Sequence, residues 1–251
     1  MKKLLSMLCI TLLVVLCITG CSKKKNVDET KDASTELTKV RVASLKGPTS
    51  LGLLQMMDTE KFTSKKNEYQ FEISQAADEI LTKVVKGDVD IALVPANVAA
   101  ILYKQTEGNV AVVDINTLGV LYAVENGDTI QSVADLKGKT ICMTGKGTVP
   151  EYAFSYILSK NGLTMDDVTV EFKSEPTEVV SYLASDESAI GILPQPFATT
   201  ATMQDDQLRV ALDLNEEWTK VDTDSTYVTG VTIVRKEFLN ANKESVELFM
   251  N

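Results

Sequence analysis

The chain has 251 residues, which is enough for one large domain or two small ones. Its formal net charge of -10 argues against a nucleic-acid partner, because phosphate binding needs a basic face. The sequence contains no histidine, which excludes Ser–His and Cys–His nucleophile pairs, HExxH zinc sites and most transition-metal sites. We therefore expect neither a metal nor a cofactor.

Residues 1–20 have the pattern of a secretory signal peptide. Two lysines follow the first methionine, and residues 4–18 form an apolar run that is short for a membrane span but typical of a signal-peptide core. The next motif, Ile18-Thr19-Gly20-Cys21, resembles the bacterial lipobox. That resemblance implies cleavage after Gly20 and a diacylglyceryl anchor on Cys21. The alternative is an ordinary signal peptide with a chance cysteine.

Residues 21–38 are predicted to be a flexible tether. The segment is polar, charged and free of aromatic residues, so it cannot bury enough apolar surface to order itself. With acyl chains on Cys21, the tether would hold a folded body at the extracytoplasmic face of the cell membrane, which is the periplasmic side in a host with an outer membrane.

From residue 39 onward, short apolar runs alternate with amphipathic stretches, which is the pattern of an α/β domain with a largely parallel sheet. The first series predicts strands at residues 40–45, 69–73 and 89–94 and helices at residues 51–57 and 77–86. Leu51, Leu54 and Met57 are expected on the buried face of the first helix. The second series predicts strands at residues 139–144, 168–172 and 189–194 and helices at residues 151–159 and 177–184.

The two series match one another at a nearly constant spacing. At an offset of 100 residues Lys39 matches Lys139, Lys46 matches Lys146 and Gly47 matches Gly147. At an offset of 99 residues Glu72 matches Glu171, Ile91 matches Ile190 and Pro95 matches Pro194. The matches predict two similar α/β lobes, although any α/β protein shows a loose strand–helix rhythm.

The predicted fold class is therefore α/β with two lobes, each a mostly parallel sheet flanked by helices. We assign residues 39–121 and 226–251 to lobe 1 and residues 122–225 to lobe 2. Extended segments at residues 119–124 and 227–234 are expected to cross between the lobes. Two such crossings form a hinge, which lets the lobes close over a ligand.

Two loops at matched positions are the first candidates for ligand binding. In open α/β sheets, ligands bind beyond the carboxyl ends of the strands. Residues 46–50 and 145–150 follow predicted strands there and open helices, whose free N–H groups and dipole attract anionic or carbonyl oxygens. Plain helix capping by Thr49, Ser50 and Thr148 is the alternative.

Charged and amide side chains lie close to these loops. Lys46 and Lys146 can neutralise an anionic ligand from both sides, or they can be solvated at the rim. Asn97 and Gln195 follow the matched third strands, where each can offer a donor and an acceptor. Asp78 can recognise an amine. No arginine lies in the candidate loops, so a bidentate clamp is not evident, and neutral heterocycles and weakly held anions are both open.

Two further motifs give no support for catalysis. The segment Gly145-Lys146-Gly147-Thr148 does not meet the GxxxxGK[ST] pattern, so nucleotide hydrolysis is excluded. Cys142 lies inside a predicted strand, where a buried and inert thiol is expected.

Several segments together resemble the solute-binding lipoproteins of ABC importers, specifically the nitrate/sulfonate/taurine and thiamine-precursor group. Beside the lipobox they are KVRVASLKGPTSLGLLQMM from residue 39, GDVDIALVPANVAAILYK from residue 87, ADLKGKTI from residue 134 and GTVPEYAF from residue 147. The resemblance implies a two-lobed fold of the type II periplasmic-binding-protein kind. It implies a monomer that captures a small solute between its lobes, delivers it to a membrane permease and catalyses no reaction.

By position, the resemblance also implies which residues face the ligand. They are Gly47, Pro48, Thr49, Ser50, Ala76, Asp78, Pro95, Asn97, Gly147, Thr148, Val149, Pro150, Pro194 and Gln195. The sequence stops at Asn251 within an amphipathic stretch, whereas members of that group run on through further helices that pack on lobe 1. A truncated C terminus is the expectation.

Two other functions are compatible with the same pattern. One is an enzyme of cofactor biosynthesis on the same two-lobed fold, against which the lipobox and the lack of histidine speak. The other is a surface receptor whose partner is a second protein.

Overall fold

The computed structural model describes residues 37–58 and 63–251, within which the strands form two five-stranded sheets. The predicted signal peptide, Cys21 and all but the end of the predicted tether lie outside the described residues. In chain order the strands are β1 (Thr38–Leu45), β2 (Asn67–Ser74), β3 (Ile91–Pro95), β4 (Val110–Leu118), β5 (Leu121–Asn126), β6 (Thr140–Met143), β7 (Thr169–Phe172), β8 (Ile190–Pro194), β9 (Leu208–Asp213) and β10 (Val228–Arg235).

Helices connect most of these strands. In chain order they are α1 (Leu54–Met57), α2 (Ala77–Lys86), α3 (Ala96–Gln105), α4 (Val149–Lys160), α5 (Pro176–Ser185), α6 (Phe197–Gln204), α7 (Leu214–Val221), α8 (Lys236–Ala241) and α9 (Lys243–Met250). Short 3-10 helices occupy Pro48–Leu53, Val133–Leu136 and Met165–Asp167. No helix within the described residues is long and apolar enough to cross a bilayer.

The two sheets share one topology. Their strand orders are β2-β1-β3-β10-β4 and β7-β6-β8-β5-β9. In each sheet one strand runs against its neighbours, β10 in the first and β5 in the second, and the others are parallel to one another. The predicted fold class, two lobes with mostly parallel sheets, is confirmed. We call the first sheet with its helices lobe 1 and the second sheet with its helices lobe 2.

Each sheet is covered on both faces. In lobe 1, Ile80 of α2 and Leu102 of α3 pack on one face, and Phe238 and Phe249 of the C-terminal helices pack on the other. Lobe 2 repeats this arrangement, with α4 on one face and α5 on the other. Burial of each large apolar side chain stabilises the fold by roughly 1.5–3 kcal/mol. Because helices pack on both faces of each sheet, the two sheets form frames that position the loops at the ends of their strands.

The strand pairing shows that the offset expected between the first strands of the two lobes was wrong by one residue. Val42 pairs with Ile91 and Ile141 pairs with Ile190, so β1 and β6 match at an offset of 99 residues and not at the 100 expected from Lys39 and Lys139. A slip of one residue turns each side chain to the other face of a sheet. Lys46 directly follows β1, whereas Lys146 lies three residues beyond the end of β6.

The helix predicted at residues 51–57 differs from the prediction in its type and in the side that is buried. Pro48 opens a 3-10 helix, and the short α1 follows it. A 3-10 helix repeats every three residues, which places Ser50 and Leu53 on the buried side. Leu51 and Leu54, expected to be buried, are half-exposed.

The connections between the lobes are shorter than the sequence pattern indicates. The chain passes from β4 to β5 through Gly119 and Val120, and it returns between α7 and β10. The two segments predicted to cross overlap β5 and β10, which are strands of the sheets themselves.

Cys142 is fully buried in β6, as predicted. Burial raises the pKa of its thiol, which disfavours the reactive thiolate.

Candidate functional site

A cleft of about 530 Å³ lies between the lobes, at the carboxyl ends of the parallel strands. Ten of the residues proposed from the sequence line it: Gly47, Pro48, Thr49, Ala76, Asp78, Pro95, Gly147, Thr148, Pro150 and Pro194. They come from both lobes. The volume lies in the range of about 300–1,000 Å³ that is typical of small-molecule sites.

Four proposed residues lie elsewhere. The hydroxyl of Ser50 is buried and donates to the carbonyl of Leu45 at 2.5 Å, which is a structural role. Val149 is part of the lobe 2 core. The side-chain oxygen of Gln195 accepts a hydrogen bond from the hydroxyl of Thr199 at 2.9 Å. Asn97 bridges the two lobes, as described below.

Four helices begin at the cleft: α2, α3, α4 and α5. In none of the four does the side chain of the N-cap residue accept a hydrogen bond from the first N–H groups of the helix. By contrast, Asp213 caps α7 with its carboxylate, and capping boxes open the 3-10 helices at Val133 and Met165. The first N–H groups of a helix carry a partial positive charge. The cleft therefore presents several amide dipoles that favour an anionic group.

The charged side chains of the cleft add to this positive field. The lining contains Lys46, Lys146 and Lys173 against Asp78 and Glu175. A hydrogen bond to Glu171 outside the cleft raises the pKa of Lys173, although this ammonium group is solvated.

Lys146 is the cleft lysine that has no acidic partner among the residues that the structure describes. Its ammonium nitrogen lies 5.7 Å from the centre of the Phe172 ring. A cation without a counter-ion is free to pair with an anionic ligand.

Two polar contacts join the lobes across the cleft. Both carboxylate oxygens of Glu175 lie 3.1 Å from the ammonium nitrogen of Lys46. The amide nitrogen of Asn97 donates to the carbonyl of Gly147 at 3.2 Å. The side-chain oxygen of Asn97 is buried without a partner among the described residues. The lobes therefore touch one another at two polar contacts, and the cleft between them still has room for a ligand.

One lining residue comes from β10, the strand that follows the second crossing between the lobes. Thr229 lines the cleft from β10, at an irregularity in the pairing of β10 with β4. Its hydroxyl and that of the neighbouring Tyr227 are buried, and neither makes a well-formed hydrogen bond within the described residues. Burial raises the pKa of Tyr227 well above its ordinary value, so this hydroxyl stays protonated. Bulges next to binding sites commonly re-aim a side chain, here Thr229.

Lobe 1 and the crossing between the lobes supply an apolar wall. It consists of Leu45, Leu81, Val98, Ile101 and Val120, and Leu121 at the start of β5 in lobe 2 extends it. The cleft is thus asymmetric, because most of the apolar wall belongs to lobe 1, whereas Lys146, which has no acidic partner among the described residues, belongs to lobe 2. A ligand with one charged end and one apolar end would match both halves.

Sequence reasoning missed the segment from Lys173 to Pro176, which lines the cleft from lobe 2. The signal was present, because the offset of 99 residues that relates Glu72 to Glu171 also relates the proposed Ala76 to Glu175. The resemblance implied the loop at Ala76 and Asp78 in lobe 1, and the repeat extends it to this counterpart in lobe 2. Thr229 had no comparable signal, since the irregularity that exposes it to the cleft depends on strand pairing.

A model of the family described as ABC transporter, phosphonate, periplasmic substrate-binding protein matches residues 58–237 of this chain. Among curated proteins, a binding protein of Brucella abortus is 37% identical over 92 residues, which is 36% of this chain and 28% of that protein. A binding protein of Brucella melitensis gives the same values. The match thus covers less than a third of the length of these relatives.

Solved structures share the fold. The periplasmic aliphatic sulphonate binding protein SsuA from Escherichia coli superposes with a TM-score of 0.65 at 15% identity, over 84% of this chain and 69% of that one. The alkanesulfonate-binding protein SsuA from Xanthomonas axonopodis pv. citri, bound to MOPS, gives a TM-score of 0.61 at 18% identity, over 85% and 71% of the two chains. At these identities the likeness concerns the fold.

Proposed function

Because this chain belongs to the family of periplasmic substrate-binding proteins of phosphonate ABC transporters, we propose that it captures a small organic oxyanion in its cleft and delivers it to a membrane permease. Proteins of this family bind substrates for transport outside the cytoplasm, and we propose that this chain catalyses no reaction. Family membership does not specify the ligand class, the permease partner or the membrane anchor, and these three are our proposals.

One observation carries the ligand class: four uncapped helix N-termini and the unpaired Lys146 converge on one cleft. A carboxylate, phosphonate or sulfonate group is what such a set of amides and an ammonium group bind best. The apolar wall of lobe 1 favours an organic tail on the ligand, which an inorganic anion lacks. We therefore place the oxyanion against lobe 2 and the tail against lobe 1.

Closure follows from the same arrangement. A ligand that touches both lobes makes more contacts when the lobes are closed than when they are open, so it shifts the population toward the closed form. The short crossings at Gly119 and Val120 and after α7 serve as the hinge. The closed form would then be the one that the permease recognises.

The membrane anchor is proposed from the sequence, because Cys21 lies outside the described residues. Cleavage after Gly20 and acylation of Cys21 would hold the protein, which we propose to be a monomer, at the outer face of the membrane. Replacing Cys21 with Ser should release the protein from the membrane fraction and abolish labelling by a palmitate analogue. Retention in the membrane would contradict the anchor without affecting the ligand proposal.

Thermal shifts of the full chain test the ligand class. The panel consists of ethanesulfonate, ethylphosphonate, nitrate, sulfate, a pyrimidine and an amino acid. A ligand at a hundred times its Kd stabilises the folded state by about 2.7 kcal/mol, which raises the melting midpoint of a chain of this size by several degrees. We expect the organic oxyanions to give the largest shifts. A shift with the neutral pyrimidine alone would overturn the proposal.

A further inference from the structure

The Lys46–Glu175 contact is the one ion pair that links the two lobes among the residues that the structure describes. Lys46 directly follows β1 of lobe 1, and Glu175 directly precedes α5 of lobe 2. Both residues line the cleft. The pair therefore occupies the space that a ligand enters.

The side chain of Glu175 does not hydrogen-bond to the N-terminus of its own helix, α5. Glu175 is the N-cap residue of α5, where the partial positive charge of the helix N-terminus stabilises an acidic side chain. Its carboxylate makes no such capping bond and reaches across the cleft to Lys46. In this conformation a protein carboxylate stands where the anionic group of a ligand would stand.

The ion pair is easily exchanged. The Lys46 side chain is 52% exposed and that of Glu175 is 31% exposed, so the attraction is strongly screened by water. An anionic ligand would meet Glu175 as a like charge inside a small cleft, and the repulsion grows with the charge of the ligand. The ammonium group of Lys46 can pair fully with the ligand only when its ion pair with Glu175 is broken.

We propose that Glu175 competes with the anionic group of the ligand for Lys46, and that it thereby sets the preference of the cleft for singly charged over doubly charged anions. This inference rests on the proposed function, since it takes the ligand to be an anion bound between the lobes. Glu175 is in this sense a specificity-determining residue. Lys46 is the contact that lobe 1 offers to the charged end of the ligand.

The test compares Glu175→Gln with the unmodified full chain by isothermal titration. The probes are ethanesulfonate, which carries one negative charge, and ethylphosphonate at an alkaline pH where it carries two. We expect Glu175→Gln to bind ethanesulfonate about threefold more tightly and ethylphosphonate about tenfold more tightly, because the like charge is gone.

Glu178→Gln is the matched control. It removes the same charge from the first turn of the same helix, and Glu178 is exposed and makes no ion pair with a described residue. We expect it to change either affinity by less than twofold. In Lys46→Gln the gain from Glu175→Gln should shrink, since a competitor has no effect when its target is absent. Melting curves of each variant verify the fold.

The outcomes separate the two proposals. Suppose that the unmodified chain binds the anions and that Glu175→Gln binds them equally well or more weakly. In that case the Lys46–Glu175 ion pair persists in the complex, and the proposed competition is refuted. If Glu175→Gln gains the same factor for both probes, the charge preference is refuted. If neither protein binds either anion, the proposed ligand class fails together with this inference.

Discussion

The side-chain amide of Asn97 donates a hydrogen bond to the carbonyl oxygen of Gly147, 3.2 Å away on the opposite lobe. Asn97 lies in the first turn of α3, and Gly147 has a positive φ of 72°, a conformation that glycine adopts readily. The contact ties the end of the lobe 1 sheet to the loop before α4. It forms only when the lobes approach one another.

Removal of this contact should weaken ligand binding by shifting the lobes toward the open form. We expect Asn97→Ala to raise the Kd of ethanesulfonate about two- to tenfold, which corresponds to the net worth of one hydrogen bond. The distance between spin labels on the two lobes measures the opening directly. Asn109→Ala is the control, because the Asn109 amide bonds locally to the carbonyl of Thr106. An unchanged label distance in Asn97→Ala would contradict the role of the contact.

Lys146 should contribute more to anion binding than any other lysine of the cleft, because it has no acidic partner among the described residues. We expect Lys146→Gln to raise the Kd of ethanesulfonate at least about tenfold, the size of a charge-assisted hydrogen bond. Titration calorimetry at two salt concentrations measures it, and the variant should show the weaker salt dependence. Lys160→Gln, at the far end of α4, removes an equal charge and should leave the Kd unchanged. Equal losses in the two variants would mean that only the overall charge of lobe 2 matters.

The sequence allowed the fold class and most elements to be predicted, because both depend on local patterns. The run that became α2 has the predicted bounds, with Ile80 and Val84 buried on one face. The matched prolines Pro95 and Pro194 end equivalent strands and both line the cleft. The repeat thus indicated the strand ends that line the cleft, and their role in ligand binding stays a prediction.

What escaped prediction depends on contacts between distant parts of the chain. The pairing of Lys46 with Glu175 requires the two lobes in their mutual orientation, which no local pattern encodes. The register of β1 was misread by one residue, since lysines at 39 and 139 match in type but not in strand pairing. The buried side of the segment after Pro48 differs from the prediction because the segment has the three-residue period of a 3-10 helix.

Gly119 at the crossing between the lobes has no room for a side chain. A Cβ atom there would lie 2.5 Å from the side-chain oxygen of Asn215 and 2.5 Å from a ring carbon of Tyr227. Because Tyr227 is buried and stacks on Trp218, with ring centres 5.3 Å apart, it cannot move aside freely. We expect Gly119→Ala to lower the free energy of unfolding by about 1–3 kcal/mol.

Urea denaturation followed by the fluorescence of Trp218, the single tryptophan of the chain, measures this loss. Gly52→Ala is the matched control, since no atom lies within 4 Å of the Cβ position there and the residue has no positive φ. The control should be neutral or slightly stabilising, because alanine has less freedom to lose on folding than glycine. Equal stability of the two variants would show that the hinge accommodates the extra atom by opening.

Asp90 should make the stability of lobe 1 sensitive to acid. It is 3% exposed and accepts hydrogen bonds from Arg41 at 2.6 Å and 2.8 Å and from Arg235 at 3.0 Å. Burial by itself raises the pKa of this carboxyl, but the hydrogen bonds from the two arginines outweigh it and hold the pKa below the ordinary 3.8. A lowered folded-state pKa stabilises the fold fully above the ordinary value, and this stability is lost as the pH falls through the lowered one.

We therefore expect Asp90→Asn to lower the free energy of unfolding at pH 7 by about 3 kcal/mol, as when one partner of a buried ion pair is removed. Below about pH 4 the difference from the unmodified chain should narrow, because protonation of Asp90 removes the same charge there. Urea titrations at pH 7, 5 and 3 measure both effects. Asp88→Asn, an exposed carboxyl in the same turn, should change the stability little at any pH. A loss in Asp90→Asn that is equal at all three pH values would mean that shape, and not charge, is what Asp90 supplies.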